Sequence, residues 1–322
     1  MFQGVANSGK TFFLQYPREK WWWNPISSLT LGLVGGVGKV FWKRHRFEIE
    51  GTERLREALL RAKLENRGLV TVMNHVSILD DPLVWSGGLS MSQLFSPDRM
   101  RWVLGAKNVC FKNTFSSWFF SLGQVLSVER FGAGPFQPSI DAAVWLMDQA
   151  KWVHMFPEGF VHQPYAPHEN TIKYFKWGIS RLVLEASNPP IILPIYGHGL
   201  EEIFPEDLPK KSLGYGKGLR AVYKIGEPLD EADIESFRAE WTGLCKYEDK
   251  SGDMPEPLKF GASSCELRSR VAYYLRTQAL QLRRSMGLED EAQDMGHPDF
   301  WKQDIVRLKQ LAEKDPRKIK ID

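Results

Sequence analysis

Residues 69–82 read LVTVMNHVSILDDP and join a strand signal to a polar turn. The first five of these residues are apolar or β-branched, which is typical of a buried strand. His75 and Asp80 follow, and in an uninterrupted helix their spacing would place the two side chains about 140° apart. We therefore expect the chain to turn after His75 and to begin a helix near Asp80, with Asp81 as its cap and Pro82 at the first helical position.

The pair of His75 and Asp80 has two interpretations. An imidazole beside a carboxylate can remove a proton from an alcohol near neutral pH, so the pair is a candidate general base. The same residues also fit a structural turn, in which His75 is only hydrogen-bonded and Asp80 caps the helix. Because the chain has seven histidines, such a spacing also arises by chance, and the choice depends on the rest of the sequence.

The composition predicts one large globular domain with terminal additions. The chain has 322 residues, of which 43% are hydrophobic and 25% are charged, enough to bury a full core. The net charge of +3 is small and no long Lys/Arg block occurs, so nucleic acid is not expected as a partner. Three widely spaced cysteines without a CxxC pattern indicate neither a disulfide framework nor a zinc site. The spacing of His154, His162 and His168 matches no common ligand pattern, so we expect no metal ion.

Short β-rich runs alternate with helical patterns through the middle of the chain. This rhythm predicts an α/β fold with a largely parallel central sheet flanked by helices. The expected strands span residues 69–73, 102–104, 125–128, 152–156, 191–195 and 221–225, and the expected helices span residues 83–91, 140–149 and 172–186. In such sheets ligands bind beyond the carboxyl ends of the strands. His75 follows one strand and Phe156-Pro157-Glu158-Gly159 follows another, so we expect both to line one crevice.

The N-terminal region carries the signals of a membrane anchor. Tryptophans at 21–23, an apolar segment at 26–42 and a basic run at 43–46 follow each other in the order typical of a membrane interface. The apolar segment contains Lys39 and is shorter than the ~20 residues of a spanning helix, so insertion into one leaflet is favoured over crossing. The expected anchoring residues are Trp21, Trp22, Trp23, Leu31, Leu33, Val34, Phe41 and Trp42. The alternative is a buried N-terminal helix of the core.

A second apolar pattern lies between the expected strands at 102–104 and 125–128. Phe111, Phe115, Trp118, Phe119 and Leu122 recur at helical spacing and form one stripe. We expect this stripe to face the core, and a lipid-facing surface or an acyl groove is the alternative.

Four short blocks in a fixed order carry a resemblance to a known family. The blocks are His75 to Asp80, Val128-Glu129-Arg130, Phe156-Pro157-Glu158-Gly159, and ILPIYG at residues 192–197. Together they resemble the glycerolipid acyltransferase superfamily, and the likeness extends from about residue 42 to residue 229. The resemblance implies that Asp80 holds and polarises His75, the general base. It also implies a substrate site formed by Arg130, Phe156, Pro157, Glu158, Gly159 and Pro194, in which Arg130 and Glu158 position the glycerophosphate head group and Pro194 shapes the floor.

Within this superfamily the chain most resembles the phospholipid–lysophospholipid transacylases. The likeness lies in residues 74–82, in FFSLG at 119–123, in WVHMFPEG at 152–159 and in FKWGI at 175–179. Many acyl-CoA-dependent relatives have Thr-Arg-Ser after the FPEG block, whereas this chain has Phe160-Val161-His162. The resemblance therefore implies acyl transfer from a phospholipid to a lysophospholipid without CoA and without a cofactor.

The resemblance also implies partners and a location. The expected partners are a phospholipid bilayer and its lipids, including cardiolipin and monolysocardiolipin, at the inner or outer mitochondrial membrane, although no clear presequence is visible. We expect an N-terminal segment with the anchor at residues 1–46, an acyltransferase domain at 47–258 and a helical C-terminal extension at 259–322. The sequence leaves the oligomeric state open. Two other functions also remain open: an acyl-CoA-dependent lysophospholipid acyltransferase, and a non-catalytic membrane-binding protein with the same fold.

Overall fold

The computed structural model describes residues 1–130, 134–163, 172–204, 220–291 and 295–302. The strands are β1 (Arg46–Glu50), β2 (Leu69–Met73), β3 (Trp102–Ala106), β4 (Val125–Val128), β5 (Trp152–Met155), β6 (Ile191–His198) and β7 (Arg220–Ile225). The helices are α1 (Gln3–Phe13), α2 (Trp23–Arg44), α3 (Thr52–Leu64), α4 (Asp80–Gly88), α5 (Met91–Leu94), α6 (Lys107–Cys110), α7 (Thr114–Leu122), α8 (Pro138–Asp148), α9 (Gly178–Glu185), α10 (Leu200–Ile203), α11 (Glu231–Leu244), α12 (Glu256–Phe260) and α13 (Ala262–Ser285). His168 and residues 303–322 of the expected C-terminal extension lie outside the described residues.

Seven strands of the described chain form one sheet in the order β1-β7-β6-β2-β5-β3-β4. Neighbouring strands are parallel, except that β6 and β7 are antiparallel. The prediction of an α/β fold with a largely parallel sheet is therefore confirmed. Because β2 lies between β5 and β6, the loop that follows β2 emerges in the middle of the carboxyl edge.

Helices cover both faces of the sheet, and alternate strand residues point into the two layers. Val70 and Val72 of β2 pack in the core that includes α1, α8, α9, α11 and α13. Leu69 and Met73 of the same strand pack in the core of α2, α3 and α4. This alternation follows from the two-residue period of a strand and makes β2 buried on both faces, as its continuous apolar sequence predicted.

The edge strand β1 was not expected from the sequence. Its residues RFEIE alternate between charged and apolar, and its described partner is β7 alone. The basic run assigned to the anchor is thereby divided, because α2 ends at Arg44 and Arg46 begins β1.

Two helices have other limits than the sequence predicted. Helix α4 begins at Asp80, as the turn after His75 predicted, but it ends at Gly88 and not at residue 91, because a capping box of Ser90 starts the separate helix α5. The helix expected at 172–186 covers only Gly178–Glu185. Before it, the Lys173 N–H donates to the Glu158 carboxylate and the Lys176 N–H donates to Pro157 O, so neither is available to a helix. Both acceptors belong to residues 156–159, which we call the FPEG corner.

Helix α2 packs against α4, α5 and α7 through a face rich in glycine. A methyl group at Gly38 would overlap Ser86 Oγ, so glycine permits the close approach of α2 to α4. Trp23 and Leu31 belong to the same inner face and are only 3% and 4% exposed. The expectation that these two side chains anchor the protein in lipid is therefore corrected, since both pack inside it.

The opposite face of α2 is apolar and exposed. We call this surface the outer face, and it consists of Ile26, Leu29, Leu33, Val37 and Val40, which recur every three or four residues. Of the other expected anchoring residues, Trp21 is 86% exposed, Val34 and Phe41 are half-buried, Trp22 packs on Trp118, and Trp42 donates its Nε1–H to Leu83 O. Within the described residues no helix combines the length and the apolar character needed to cross a bilayer.

The aromatic stripe expected in the core is largely exposed. Phe111 lies before α7, and on α7 Phe115 is 83% and Phe119 is 40% exposed. The prediction that the stripe faces the core is wrong, because helical spacing alone does not distinguish a face turned to protein from a face turned outward. Phe119 lines an apolar groove together with Leu33 and Val37 of the outer face, whereas Trp118 packs on Trp22 and Trp23.

Candidate active site

The loop between β2 and α4 holds an imidazole and its carboxylate together. His75 Nδ1 lies 3.0 Å from Asp80 Oδ2, and the same oxygen accepts the backbone N–H groups of Val76 and Ser77 at 2.8 Å. Burial raises the pKa of the Asp80 carboxyl, while the His75 ring and the two N–H donors favour its charged form. The two interpretations of this pair are thus compatible, because one carboxylate oxygen fixes both the loop backbone and the ring.

The two members of the pair differ in exposure. The Asp80 side chain is fully buried, whereas the His75 side chain is 18% exposed. Because Nδ1 of His75 faces Asp80, Nε2 is the nitrogen left for a substrate. The ring also stacks on Phe156 of the FPEG corner, with ring centroids 4.0 Å apart. The imidazole is therefore held on one edge by a carboxylate and on one face by an aromatic ring.

Glu158 connects the His75 loop to the FPEG corner. Its Oε1 accepts the His75 N–H at 2.8 Å and its Oε2 accepts the Lys173 N–H at 3.0 Å. The bond between the His75 N–H and Glu158 shows that the two sequence clusters are in contact. Burial raises the pKa of Glu158 to about 8, although the two N–H donors oppose the shift. Glu158 is buried and both of its oxygens accept backbone N–H groups, so its carboxylate holds the His75 loop to the segment that contains Lys173.

The turn at the FPEG corner and the end of β6 both depend on glycine. Gly159 has a φ of +81°, which favours glycine, and its N–H donates to Phe156 O at 3.1 Å. On the other side of the loop, Asn74 donates to Gly197 O at 2.9 Å and accepts the Gly197 N–H at 2.8 Å. A methyl group at Gly197 would lie 2.5 Å from Met73 Cε and 2.9 Å from the buried Tyr223 ring, so a side chain at this position would displace its neighbours.

Two polar side chains beside the site, His154 and Thr71, are structural. His154 of β5 lies beneath Phe156, and its Nδ1 is 2.9 Å from Thr71 Oγ1. Burial lowers the pKa of His154 to about 3, so this ring is neutral. It supports the Phe156 ring on which His75 stacks.

Asp81, next to the proposed catalytic aspartate, has a different environment. It accepts hydrogen bonds from Arg101 Nε at 2.8 Å and from Trp85 Nε1 at 2.9 Å, and a second Arg101 nitrogen pairs with its other oxygen. Burial alone would raise the pKa of Asp81, but Arg101 holds it below its ordinary value. The expectations that Asp81 caps α4 and that Pro82 takes its first position are wrong, because the helix begins at Asp80 after Leu79 and both residues lie inside its first turn. The Asp81 carboxylate instead forms an ion pair with Arg101.

Comparison with known proteins identifies the family. Residues 46–197, which contain the His75 loop and the FPEG corner, match the acyltransferase family model. Tafazzin of Saccharomyces cerevisiae is 40% identical over 340 aligned positions, which cover 94% of this chain and 89% of that protein. The chain belongs to the tafazzin family. Drosophila melanogaster tafazzin is 31% identical over 66% of the chain and 53% of its own length, and Arabidopsis thaliana N-acylphosphatidylethanolamine synthase is 34% identical over 50% of the chain and 56% of its own length.

Membership of the tafazzin family confirms the resemblance that the four sequence blocks carried, and it makes the chain an acyltransferase enzyme. The roles of the individual site residues remain predictions. The structure adds their positions. His75 and Asp80 contact each other in one loop, whereas Arg130 and Pro194 belong to other elements.

Arg130 and Pro194 are the expected site residues that lie outside the His75 loop and the FPEG segment. Arg130 follows β4 at the same carboxyl edge and donates to Asn108 Oδ1 at 3.2 Å. Pro194 is buried inside β6, and its carbonyl oxygen accepts the N–H of Gly226 at 2.8 Å. Arg130 thus lies at the carboxyl edge of the sheet, whereas Pro194 lies inside the strand next to β2.

Sequence reasoning missed the residues that fix the His75 loop. Asn74 and the backbone N–H of Lys173 had no predicted role, and Lys176, which lies over Gly159, was noted only as part of a motif. For Asn74 and Lys176 the one available signal was their position in the segments 74–82 and 175–179 that carry the resemblance. Lys173 lies in none of these segments, and backbone hydrogen bonds between distant segments leave no pattern in a single sequence.

We expect the stability contributed by Glu158 to depend on pH. The folded carboxyl keeps its proton up to a pH of about 8, whereas the unfolded carboxyl loses it near the ordinary value of 4.5. The folded state therefore binds more protons between these values, so the contribution is full below the ordinary pKa and is lost as the pH rises through about 8. Glu158→Gln should remove this decline in urea unfolding at a series of pH values, and the exposed control Glu129→Gln should keep it. An unchanged decline in Glu158→Gln would contradict the assignment.

Proposed function

We propose that this protein is a CoA-independent phospholipid–lysophospholipid transacylase that remodels cardiolipin at a mitochondrial membrane. The observation that carries the proposal is the His75–Asp80 pair, at 3.0 Å, with its carboxylate buried and its imidazole partly exposed. Family membership supports acyl transfer as the reaction and a mitochondrial membrane as the place. We also propose the acyltransferase domain at residues 47–258, between the N-terminal segment and the C-terminal extension.

The proposed reaction exchanges one ester for another. His75 Nε2 takes the proton of a free glycerol hydroxyl on a lysophospholipid, and the oxygen attacks an acyl ester carbonyl of a donor phospholipid. Asp80 stabilises the imidazolium that forms. The imidazolium then returns the proton to the glycerol oxygen that leaves the donor. Because one glycerol ester forms as another breaks, the reaction requires no cofactor and no energy source.

The outer face of α2 supports attachment to one leaflet of a bilayer. Both proposed substrates reside in a membrane, and an amphipathic surface that lies in the interface gives the enzyme access to them. The exposed ring of Trp21 at the start of α2 and the basic residues Lys43 and Arg44 at its end suit the interface and anionic head groups. We propose that the protein is monotopic, with the outer face in lipid.

An apolar groove connects the outer face to the catalytic loop. It has a volume of about 360 Å³ and is lined by Leu33, Val34, Val37, Gly38, Phe41, Leu79, Pro82, Leu83 and Phe119. Leu79 and Pro82 flank Asp80 in the chain, so an acyl chain in this groove would lead its ester toward His75. We propose that Leu33, Val34 and Phe41 serve the acyl chain of a lipid as well as the anchor.

Charges on the outer face should weaken membrane binding. Leu29→Asp and Val40→Asp place a carboxylate at exposed positions outside the groove, and each should lower the affinity for vesicles at least about tenfold, because apolar burial is lost and a charge is added. Leu64→Asp is the matched control, since Leu64 is an exposed leucine on α3, which packs on the sheet. Vesicle flotation measures all three variants. Equal binding by the α2 variants and the control would refute the proposed anchor.

The test of the proposed function is acyl transfer without a thioester. Purified protein is incubated with vesicles that contain a phospholipid with a labelled acyl chain and an unlabelled lysophospholipid, with and without added acyl-CoA, and the products are resolved by mass spectrometry. The proposal predicts label on the lysophospholipid without acyl-CoA. Transfer only from added acyl-CoA would replace the proposal by the acyl-CoA-dependent alternative, and N-acylphosphatidylethanolamine as product would indicate an amine acceptor.

A further inference from the structure

Lys176 lies at the FPEG corner, close to the proposed catalytic ring. A methyl group at Gly159 would come within 2.6 Å of Lys176 Nζ, so the ammonium lies directly over this backbone. The position is fixed because the Lys176 N–H donates to Pro157 O at 2.9 Å. The same turn carries Phe156, whose ring stacks on His75. The Lys176 ammonium and the His75 imidazole therefore both contact the turn formed by residues 156–159.

The surroundings of this ammonium are cationic. Burial lowers the pKa of Lys176, and the neighbouring charge of Arg130 lowers it further. Among the described residues no carboxylate forms an ion pair with Lys176, and the nearby Glu158 directs both oxygens to backbone N–H groups. The Phe160 ring, 5.5 Å from Nζ, adds no full negative charge. Arg130 follows β4 at the same carboxyl edge of the sheet at which the FPEG segment follows β5, and an anion bound at this edge would be stabilised by both cations.

The residues that directly follow the FPEG block, Phe160 and Val161, carry no positive charge. Acyl-CoA-dependent relatives that carry Thr-Arg-Ser after the FPEG block would have their arginine at the position of Val161. Lys176 comes from a segment fifteen residues further along the chain and reaches the same corner in space. It can therefore supply the cation that the local motif lacks.

We propose that Lys176, together with Arg130, binds the phosphate of the lipid substrate and thereby positions the reacting glycerol oxygen at His75. The inference rests on the proposed acyl transfer and adds a specificity-determining residue to it. A phosphate ester on glycerol provides the oxygen acceptors that an ammonium and a guanidinium bind. Lipid acceptors that carry a phosphate are then selected over neutral glycerides.

The test compares two acceptors that differ in the phosphate. Transfer to a lysophosphatidylcholine and to a monoacylglycerol is measured in CoA-free vesicles for the wild type, Lys176→Met, Lys176→Arg and the control Lys151→Met, which removes a lysine at the amino end of β5. Loss of a charged hydrogen bond should raise the KM for the lysophospholipid about tenfold to a hundredfold in Lys176→Met, with a smaller effect on kcat. The monoacylglycerol should react unchanged, Lys176→Arg should keep most of the preference, and Lys151→Met should match the wild type.

Equal effects of Lys176→Met on both acceptors, or no effect on either, would overturn the inference. Binding of the same two lipids, as short-chain forms, to His75→Gln protein gives the comparison without turnover. A preference for the phosphate lipid that the double variant His75→Gln/Lys176→Met loses supports the inference, and a preference that persists contradicts it. If the wild type transfers no acyl chain at all, the proposed function fails, and the binding arm still decides the role of Lys176. Thermal unfolding verifies that each variant is folded.

Discussion

Replacing His75 with glutamine is expected to lower the rate of CoA-free acyl transfer by about 10³-fold, within the usual range for loss of a general base. Glutamine is close to histidine in size and can still accept or donate one hydrogen bond to Asp80, but it cannot take a proton from a glycerol hydroxyl. The fold should be retained, because Asp80 keeps its bonds to the N–H groups of Val76 and Ser77. Label transfer between lipids in vesicles measures the rate.

The same variant separates catalysis from membrane attachment. His75 lies on the loop after β2, whereas the outer face belongs to α2, so vesicle flotation of His75→Gln should match the wild type. A rate within about tenfold of the wild type would exclude His75 as the general base. Unchanged transfer together with unchanged binding would favour the non-catalytic membrane-binding alternative for this site.

Replacing Asp81 with alanine is expected to destabilise the fold by about 3–5 kcal/mol, because a buried guanidinium then lacks its carboxylate. Arg101 is only 6% exposed and would keep Gly123 O as an acceptor. Urea unfolding measures the loss. The exposed pair of Glu48 and Arg220 is the control, and Glu48→Ala should leave the unfolding midpoint unchanged.

A double variant tests the cause of this loss. Asp81→Ala/Arg101→Met removes both charges and should be more stable than Asp81→Ala alone.

Replacing Asp80 with asparagine should give the complementary result, with acyl transfer strongly reduced and the unfolding midpoint little changed, because asparagine can still accept the loop N–H groups. If Asp81→Ala lost transfer and kept its stability, the roles assigned to the two adjacent aspartates would be reversed.

The parts of the fold that local sequence dictates were predictable. The limits of β2 and β4 were predicted to the residue, because each is a short apolar run bounded by turn residues. The strand β1 was not predictable, because it alternates charged and apolar residues, as edge strands do, and has no continuous apolar run. Its first residue, Arg46, also belongs to the basic run that was assigned to the anchor. Residues 172–177 were predicted as helix from their spacing, but hydrogen bonds to the FPEG corner hold them in another conformation.

The candidate site was predictable in its topology and not in its details. The meeting of His75 with Glu158 follows from two parallel strands that end at one edge. That both Glu158 oxygens accept backbone N–H groups could not be read from the sequence, since any glutamate at a strand end has the same pattern. The exposure of Phe115 was likewise hidden, because an apolar side chain is suited equally to a protein core and to lipid.

The most direct test of the central claim is the lysophospholipid balance during acyl exchange. Vesicles contain a phospholipid with a ¹³C-labelled acyl chain, a second phospholipid class and a trace of lysophospholipid, with no CoA, and mass spectrometry follows label, lysophospholipid and free fatty acid. Base-catalysed transacylation at His75 predicts that label spreads to the second class while the total lysophospholipid stays constant, and that His75→Gln abolishes the spread. Accumulating lysophospholipid with free fatty acid, or label that moves only after acyl-CoA is added, would contradict the account.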